Sequence, residues 1–209
     1  MLCLIDLTDR RLDDYAGVLP RGRFDVDQAV AVVRPICDAV RDDGREALVR
    51  FSEQFDHVVP AQFRVPAQAL SAALASLDGQ LRRAIELSIA RRRTVCEAIE
   101  GEEPWRSVEL APGAMIGNRL VPVGRVGLYV PGGLAPLASS VVMNVVPAQV
   151  AGVGSLAVAT PPQAEFNGLP HPVTLATCEL LGIEEVYAVG GAQAIAMFAH
   201  GVPGLCKPV

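Results

Sequence analysis

Between Arg125 and Glu165 the chain carries no charged side chain. A run of that length stays out of water only when most of it is buried. A membrane span needs ~20 consecutive apolar residues in one helix. Here Pro131, Pro136, Pro147, Pro161 and Pro162 break the run, and Gly132, Gly133, Asn144 and Gln149 interrupt it further. The pattern that remains is strand, loop, helix, strand. Val126–Val130 has the apolar continuity of a strand covered on both faces. Pro131-Gly132-Gly133 is a turn, and Ser139 or Ser140 is expected to cap a helix running to about Val150. Gly152 and Gly154 end that helix, and Ser155–Thr160 is a second buried strand.

The pattern repeats downstream. A helix is predicted from about His171 to Leu181 and closed by Gly182, followed by a strand at Glu185–Val189. Gly190-Gly191 forms a second glycine turn, and a helix runs from Ala192 to about His200. The order β-α-β-α-β-α is half of a doubly wound parallel sheet. The fold class expected is therefore α/β: a helical N-terminal region followed by an incomplete Rossmann-like doubly wound sheet.

Upstream, residues 1–24 read as an arm with a short helix around Leu12–Ala16. Asp25 is expected to cap a helix from Val26 to about Asp43, bent at Pro35, with an inward face of Val26, Ala29, Val30, Val33, Ile36, Cys37 and Val40. Gly44 ends it, and a helix from Arg45 to Phe55 follows. His57–Val65 is read as a strand and Pro66–Ser76 as a helix. Asp78 caps a long helix to about Glu100, with Leu81, Ile85, Ile89, Val95 and Ile99 on one face. Arg91, Arg92 and Arg93 point about 100° apart on that helix, so they form a solvated surface with partners such as Glu97 rather than a phosphate patch. Trp105–Val123 is expected to hold short strands with turns at Pro112-Gly113 and Gly117-Asn118. The domain division expected is 1–24, 25–125 and 126–209.

The 209 residues are 51% hydrophobic and 20% charged, so a sizeable core is available. The net charge of −5 argues against nucleic acid as a partner. Five cysteines, odd in number and without C-x-x-C spacing, read as buried or incidental thiols of a reducing cytoplasm. The start MLCLIDLTDRR has Asp6 inside its apolar run and no basic lead, so no signal peptide is expected.

Two glycine turns stand at equivalent places, each after a strand and before a helix: Tyr129-Val-Pro-Gly-Gly133 and Gly190-Gly-Ala-Gln193. Right-handed crossovers would bring both to the carboxyl edge of the sheet, where ligands bind in open α/β folds. Glycine there allows close approach to the backbone, and a helix amino end favours an anionic group. Tyr129 can stack on a ring, and Gln193 offers a donor and an acceptor. The G-x-G-x-x-G fingerprint and its downstream acid are absent, so the two turns read equally well as structural. His57, His171 and His200 lack the spacing of a metal site and read as caps or surface groups.

The blocks VGRVGLYVPGG, SSVVMNVVPAQVAGV, ATPP and VGGAQAIAMFAHG, with VRDDGREALVRFSEQFD upstream, closely resemble the histidinol dehydrogenase family. Leu137-Ala138 departs from the Tyr-Pro that the family often has before the paired serines. The resemblance implies a zinc-dependent homodimer that oxidises L-histidinol to L-histidine in two NAD-linked steps through an aldehyde. It implies that Tyr129 and Gln193 contact NAD. It also implies that the chain corresponds to the amino-terminal half, with zinc ligands, the catalytic Glu-His pair and a G-P-G-N asparagine beyond Val209. No catalytic and no metal residue is then expected here, and the chain alone is expected to be inactive. Two alternatives are a related dehydrogenase for another hydroxylated substrate, such as a sulfonated propanediol, and a non-catalytic binding fragment.

Overall fold

Strand and helix alternate where the uncharged run requires them to. The computed structural model describes residues 5–8, 26–100, 105–132 and 135–209. In chain order the elements are α1 (Val26–Asp43), α2 (Arg45–Phe51), a π-helical turn (Ser52–Asp56), α3 (Ala67–Ser76), α4 (Gly79–Glu100), β1 (Trp105–Ala111), β2 (Ala114–Arg119), β3 (Arg125–Tyr129), α5 (Ala138–Val150), β4 (Ser155–Thr160), α6 (Pro172–Leu180), β5 (Glu185–Ala188) and α7 (Gly191–His200). The helix expected around Leu12–Ala16 and the cap at Asp25 lie outside the described residues.

Two compact units are distinguished, 1–34 and 35–209. In the first, Thr8 donates its amide to the Asp6 carboxylate at 2.9 Å, and the opening half of α1 leaves Val26, Val30 and Val33 exposed. The inward face expected along all of α1 is therefore realised only at its end, where Val40 is fully buried.

The second unit is built on a parallel sheet in the order β3-β4-β5. Val126 lies beside Leu156, and Val158 beside Val186. Alternation along the strands sends side chains to two cores. Val158, Val186 and Ala188 meet Val141, Val142, Val145 and Val146 of α5, Leu175 of α6, and Leu70 of α3. Ala157, Ala159, Tyr187 and Val189 meet Ala194, Met197 and Phe198 of α7, with Val40, Ala47 and Leu48. Helices thus cover both faces, as a doubly wound sheet requires. α7 comes close because the strand beneath it is small. A Cβ on Gly127 would stand 2.4 Å from the Phe198 ring.

The sheet is extended from upstream. Residues 63–65 run antiparallel beside β5, bridging Arg64 to Tyr187. Val65 donates to the Val186 carbonyl at 2.8 Å and Ala188 donates to the Phe63 carbonyl at 2.7 Å. The strand expected over His57–Val65 is real only at this end.

Several local expectations differ. Gly117 and Asn118 are not a turn: they pair inside β2 with Ser107 and Arg106, and the hairpin turns once, at Pro112-Gly113. α5 starts at Ala138, one residue before the serines, with Leu137 as its cap residue and no side-chain capping bond. Asp78 does cap α4, accepting from the amides of Gln80 and Leu81, each at 2.9 Å. On that helix Ile85 is buried, whereas Leu81, Val95 and Ile99 are exposed and Cys96 takes the inward place. Arg93 donates to Gln149 of α5 at 2.7 Å, rather than pairing with Glu97.

Candidate functional site

Three successive strand ends converge at the carboxyl edge. β3 ends in Tyr129, followed by Pro131-Gly132; β4 ends in Thr160, followed by Pro161; β5 leads through Val189 to Gly190-Gly191. A Cβ on Gly132 would lie 3.0 Å from Pro161, and a Cβ on Gly190 would lie 3.1 Å from the same proline. Both glycines let the turns pack tightly against Pro161. The Tyr129 hydroxyl accepts a hydrogen bond from the Gly191 amide at 3.1 Å. Asn144 of α5 donates to the Tyr129 carbonyl at 3.2 Å and fixes the residue from behind.

The two residues singled out from sequence, Tyr129 and Gln193, thus stand at one edge. Gln193 lies on the first turn of α7, is 1% exposed, and neither its Oε1 nor its Nε2 has a hydrogen-bond partner. Leaving a buried amide unpaired typically costs about 1–3 kcal/mol, so such a group needs a reason. Gly191 opens α7 at a φ of 58°, with Gln193 Oε1 2.7 Å from the place of a Cβ. The N-cap residue of α7, Gly190, has no side chain to cap it, so the first amide of the helix, that of Gly191, is held instead by the Tyr129 hydroxyl.

Asp56 joins them from upstream. It ends the π-helical turn, and its Oδ1 lies 2.8 Å from the place of a Cβ on Gly190. Its Oδ2 is out of solvent and unpartnered. Burial pushes the carboxyl up to about 6, opposed by the nearby His57. His57 itself takes a left-handed backbone, φ 56° and ψ 22°. Sequence reasoning missed Asp56. One signal was available: an acid at the carboxyl end of a helix opposes the helix dipole, so its placement there asks for another purpose.

The remaining candidates are structural. The His171 ring nitrogen Nδ1 accepts from the Val173 amide at 3.1 Å and caps α6, and His57 and His200 are exposed. Cys96, Cys178 and Cys206 are buried, and desolvation pushes the Cys178 thiol up to about 12. At the opposite, amino edge a cavity of about 820 Å³ is lined by Arg125, Glu185, Tyr187 and Cys206 among others. Arg125 holds Glu185 with two hydrogen bonds, at 2.8 and 3.1 Å, and Tyr187 donates to the same carboxylate at 2.9 Å. That network links β3 to β5 across the sheet, with Arg125 Nε left buried and unpartnered.

Comparison with known proteins gives the family. The family model for histidinol dehydrogenase matches residues 19–209. The chain belongs to the histidinol dehydrogenase family. It is 64% identical over 204 residues to the histidinol dehydrogenase of Cutibacterium acnes and 58% identical over 205 residues to that of Thermobifida fusca. In both cases 98% of this chain is covered and 46% of the relative. A crystal structure of histidinol dehydrogenase from Elizabethkingia anophelis superposes with a TM-score of 0.83 at 26% identity, over 95% of this chain and 45% of that one. The chain spans about half the length of the histidinol dehydrogenases it matches. Among the described residues no helix is long and apolar enough to cross a membrane.

Proposed function

We propose that this chain carries the dinucleotide-binding part of an enzyme that oxidises L-histidinol to L-histidine in two successive NAD-linked steps. The observation that carries the reading is the carboxyl edge itself. A fully buried, unpartnered Gln193 amide stands beside a glycine turn pinned to Tyr129. The edge suits NAD: it holds orphaned polar atoms, a cradle that a Cβ at Gly132 or Gly190 would fill, and the amino end of α7. Tyr129 and Gln193 would hold the cofactor there, the first by orienting the α7 turn and the second through its free amide. NAD, when bound, accepts hydride from the substrate carbon. The chain's own residues bind and orient it and keep water from the Gln193 amide.

Zinc does not fit the described residues, which bring together no group of three or more His, Cys, Asp or Glu side chains. Zinc ligands and the acid–base pair belong, in this proposal, to the half of the enzyme beyond Val209. That half also completes the region 25–125, leaving 126–209 as the NAD-binding domain of a cytoplasmic homodimer. General acid–base catalysis alone typically contributes 10²–10⁴-fold, so the 209-residue chain is expected to produce no NADH from L-histidinol. The test compares the complete enzyme and the 209-residue chain with zinc, NAD, and either L-histidinol or a sulfonated propanediol. NADH formation by the complete enzyme with the propanediol alone overturns the substrate. Turnover by the 209-residue chain overturns the location of the chemistry.

A further inference from the structure

We propose that Asp56 is a ligand-contacting residue of the same edge, accepting hydrogen bonds from the vicinal hydroxyls of one ribose of the dinucleotide. The inference rests on the cofactor reading above and extends it to a residue outside the sheet. Backbone and side chain together single out Asp56. It ends a π-helical turn, a distortion frequent at functional sites. It directly precedes His57, the left-handed residue that closes that turn. Its carboxylate sits against the backbone of a glycine, Oδ1 2.8 Å from where a side chain at 190 would begin, with Oδ2 buried and unpartnered. Removing solvent from an anion is costly, and the charge of His57 beside Asp56 offsets that burial only in part.

The chemistry of the missing partner follows from what a carboxylate does. An ionised carboxylate only accepts hydrogen bonds, so the ligand must bring donors to it. The diphosphate of a dinucleotide is excluded from this spot by like charge. A ribose supplies two adjacent O–H groups at a spacing that a carboxylate can engage together. Dinucleotide folds ordinarily place an acid for the ribose hydroxyl within the sheet, about 20 residues past the glycine turn. No acid stands at the ends of β3, β4 or β5 here, where Tyr129, Thr160 and Ala188 are found. Asp56 reaches the edge from the upstream π-turn and fills that role. It does so beside Gly190, while Gln193 lies against the next residue, Gly191. The two consecutive glycines thus separate an acceptor from an amide.

The complete, zinc-loaded enzyme is titrated calorimetrically with NAD in the wild type, Asp56→Ala, Asp56→Asn and Gln193→Ala. Wild type is also titrated with NAD analogues lacking the 2′- or 3′-hydroxyl of the adenosine ribose or of the nicotinamide ribose. Loss of a hydrogen bond to a charged group predicts about tenfold weaker NAD binding by Asp56→Ala. One analogue should lose a similar factor in wild type and no further factor in Asp56→Ala, which also identifies the sugar. Unchanged NAD affinity in both Asp56 variants, with Gln193→Ala weakened, overturns the role of Asp56 and leaves the cofactor site standing. Unchanged affinity in Gln193→Ala as well overturns the site and the inference together. Should the Asp56 variants fold poorly, wild type decides: full affinity for every deoxy analogue overturns the proposal.

Discussion

The Tyr129 hydroxyl accepts the Gly191 amide at 3.1 Å, tying the end of β3 to the first residue of α7 across 62 positions of sequence. The bond spans the outer strand and the helix after the third strand, so it sets the width of the edge that both glycine turns share. Removing the acceptor alone, in Tyr129→Phe, should cost about 1 kcal/mol, visible as a melting temperature lower by a few degrees. Tyr129→Ala should in addition weaken NAD binding about tenfold, as loss of a ring and a bond together predicts. Calorimetry on the complete enzyme measures both. Wild-type affinity in Tyr129→Ala would remove the residue from the site.

Gly127 gives a packing test that does not involve the ligand. A Cβ there would meet Phe198 at 2.4 Å, and overpacking of this kind typically costs 1–3 kcal/mol. Gly127→Ala should lower the urea midpoint. Adding Phe198→Leu should recover part of the loss, because the two substitutions share one space. Additive losses would mean that α7 does not rest on β3 through this contact.

Acid stability should depend on the opposite edge. The Arg125 guanidinium, together with the Tyr187 hydroxyl, pulls Glu185 from its ordinary 4.5 down to about 2. A carboxylate depressed on folding contributes stability above its unfolded pKa and loses it as pH falls towards the folded one. The contribution is therefore intact above about 4.5 and disappears between that pH and about 2. The pair is only 16% and 27% exposed, so an effect of roughly 2–3 kcal/mol is expected. Urea unfolding at pH 7, 4 and 3 should show this decline, and Glu185→Gln should flatten it. An identical pH slope in both proteins would contradict the assignment.

Asp56 should behave in the opposite sense. Its carboxyl is raised to about 6 by burial, so its protonated form is the one the fold accepts. That contribution is complete below the ordinary 3.8 and is lost as pH rises through about 6. The free protein at pH 7.5 then holds a costly charge, and Asp56→Asn should raise its stability by about 1 kcal/mol after allowance for partial exposure. A structural acid would do the reverse. Thermal melts at pH 5 and 7.5 distinguish the two, since the gain should be larger at the higher pH.

The sheet was legible because its signal is local. No charge lies between Arg125 and Glu165, and glycine and proline punctuate that span, so β3, α5 and β4 fall within a residue or two of where periodicity puts them. Asp78 was legible for the same reason, since a cap acts on the amides two and three residues on. What depends on distant partners was not. Gly117-Asn118 has turn composition, yet pairing with Ser107 and Arg106 holds it in a strand. Val95 and Ile99 continue an apolar stripe of α4 but are exposed, while Cys96 faces the core. In the site, Tyr129 and Gln193 follow strands that can be read directly. Asp56 lies about 130 residues before the glycine it touches, and no pattern around it names Gly190.

The clasp of residues 63–65 on β5 also has a consequence in time. Its partner, Tyr187, lies about 120 residues further along. At ribosomal rates of about 5–20 residues per second, some 6–25 s separate the synthesis of the two. α2 and the π-turn are made early and wait, apolar faces uncovered, while β3, β4 and β5 assemble from neighbours in sequence. Only the last strand gives residues 63–65 something to hold. Gly190 follows β5 in the chain, so Asp56 can meet it only then, and the carboxyl edge is completed after the sheet that carries it.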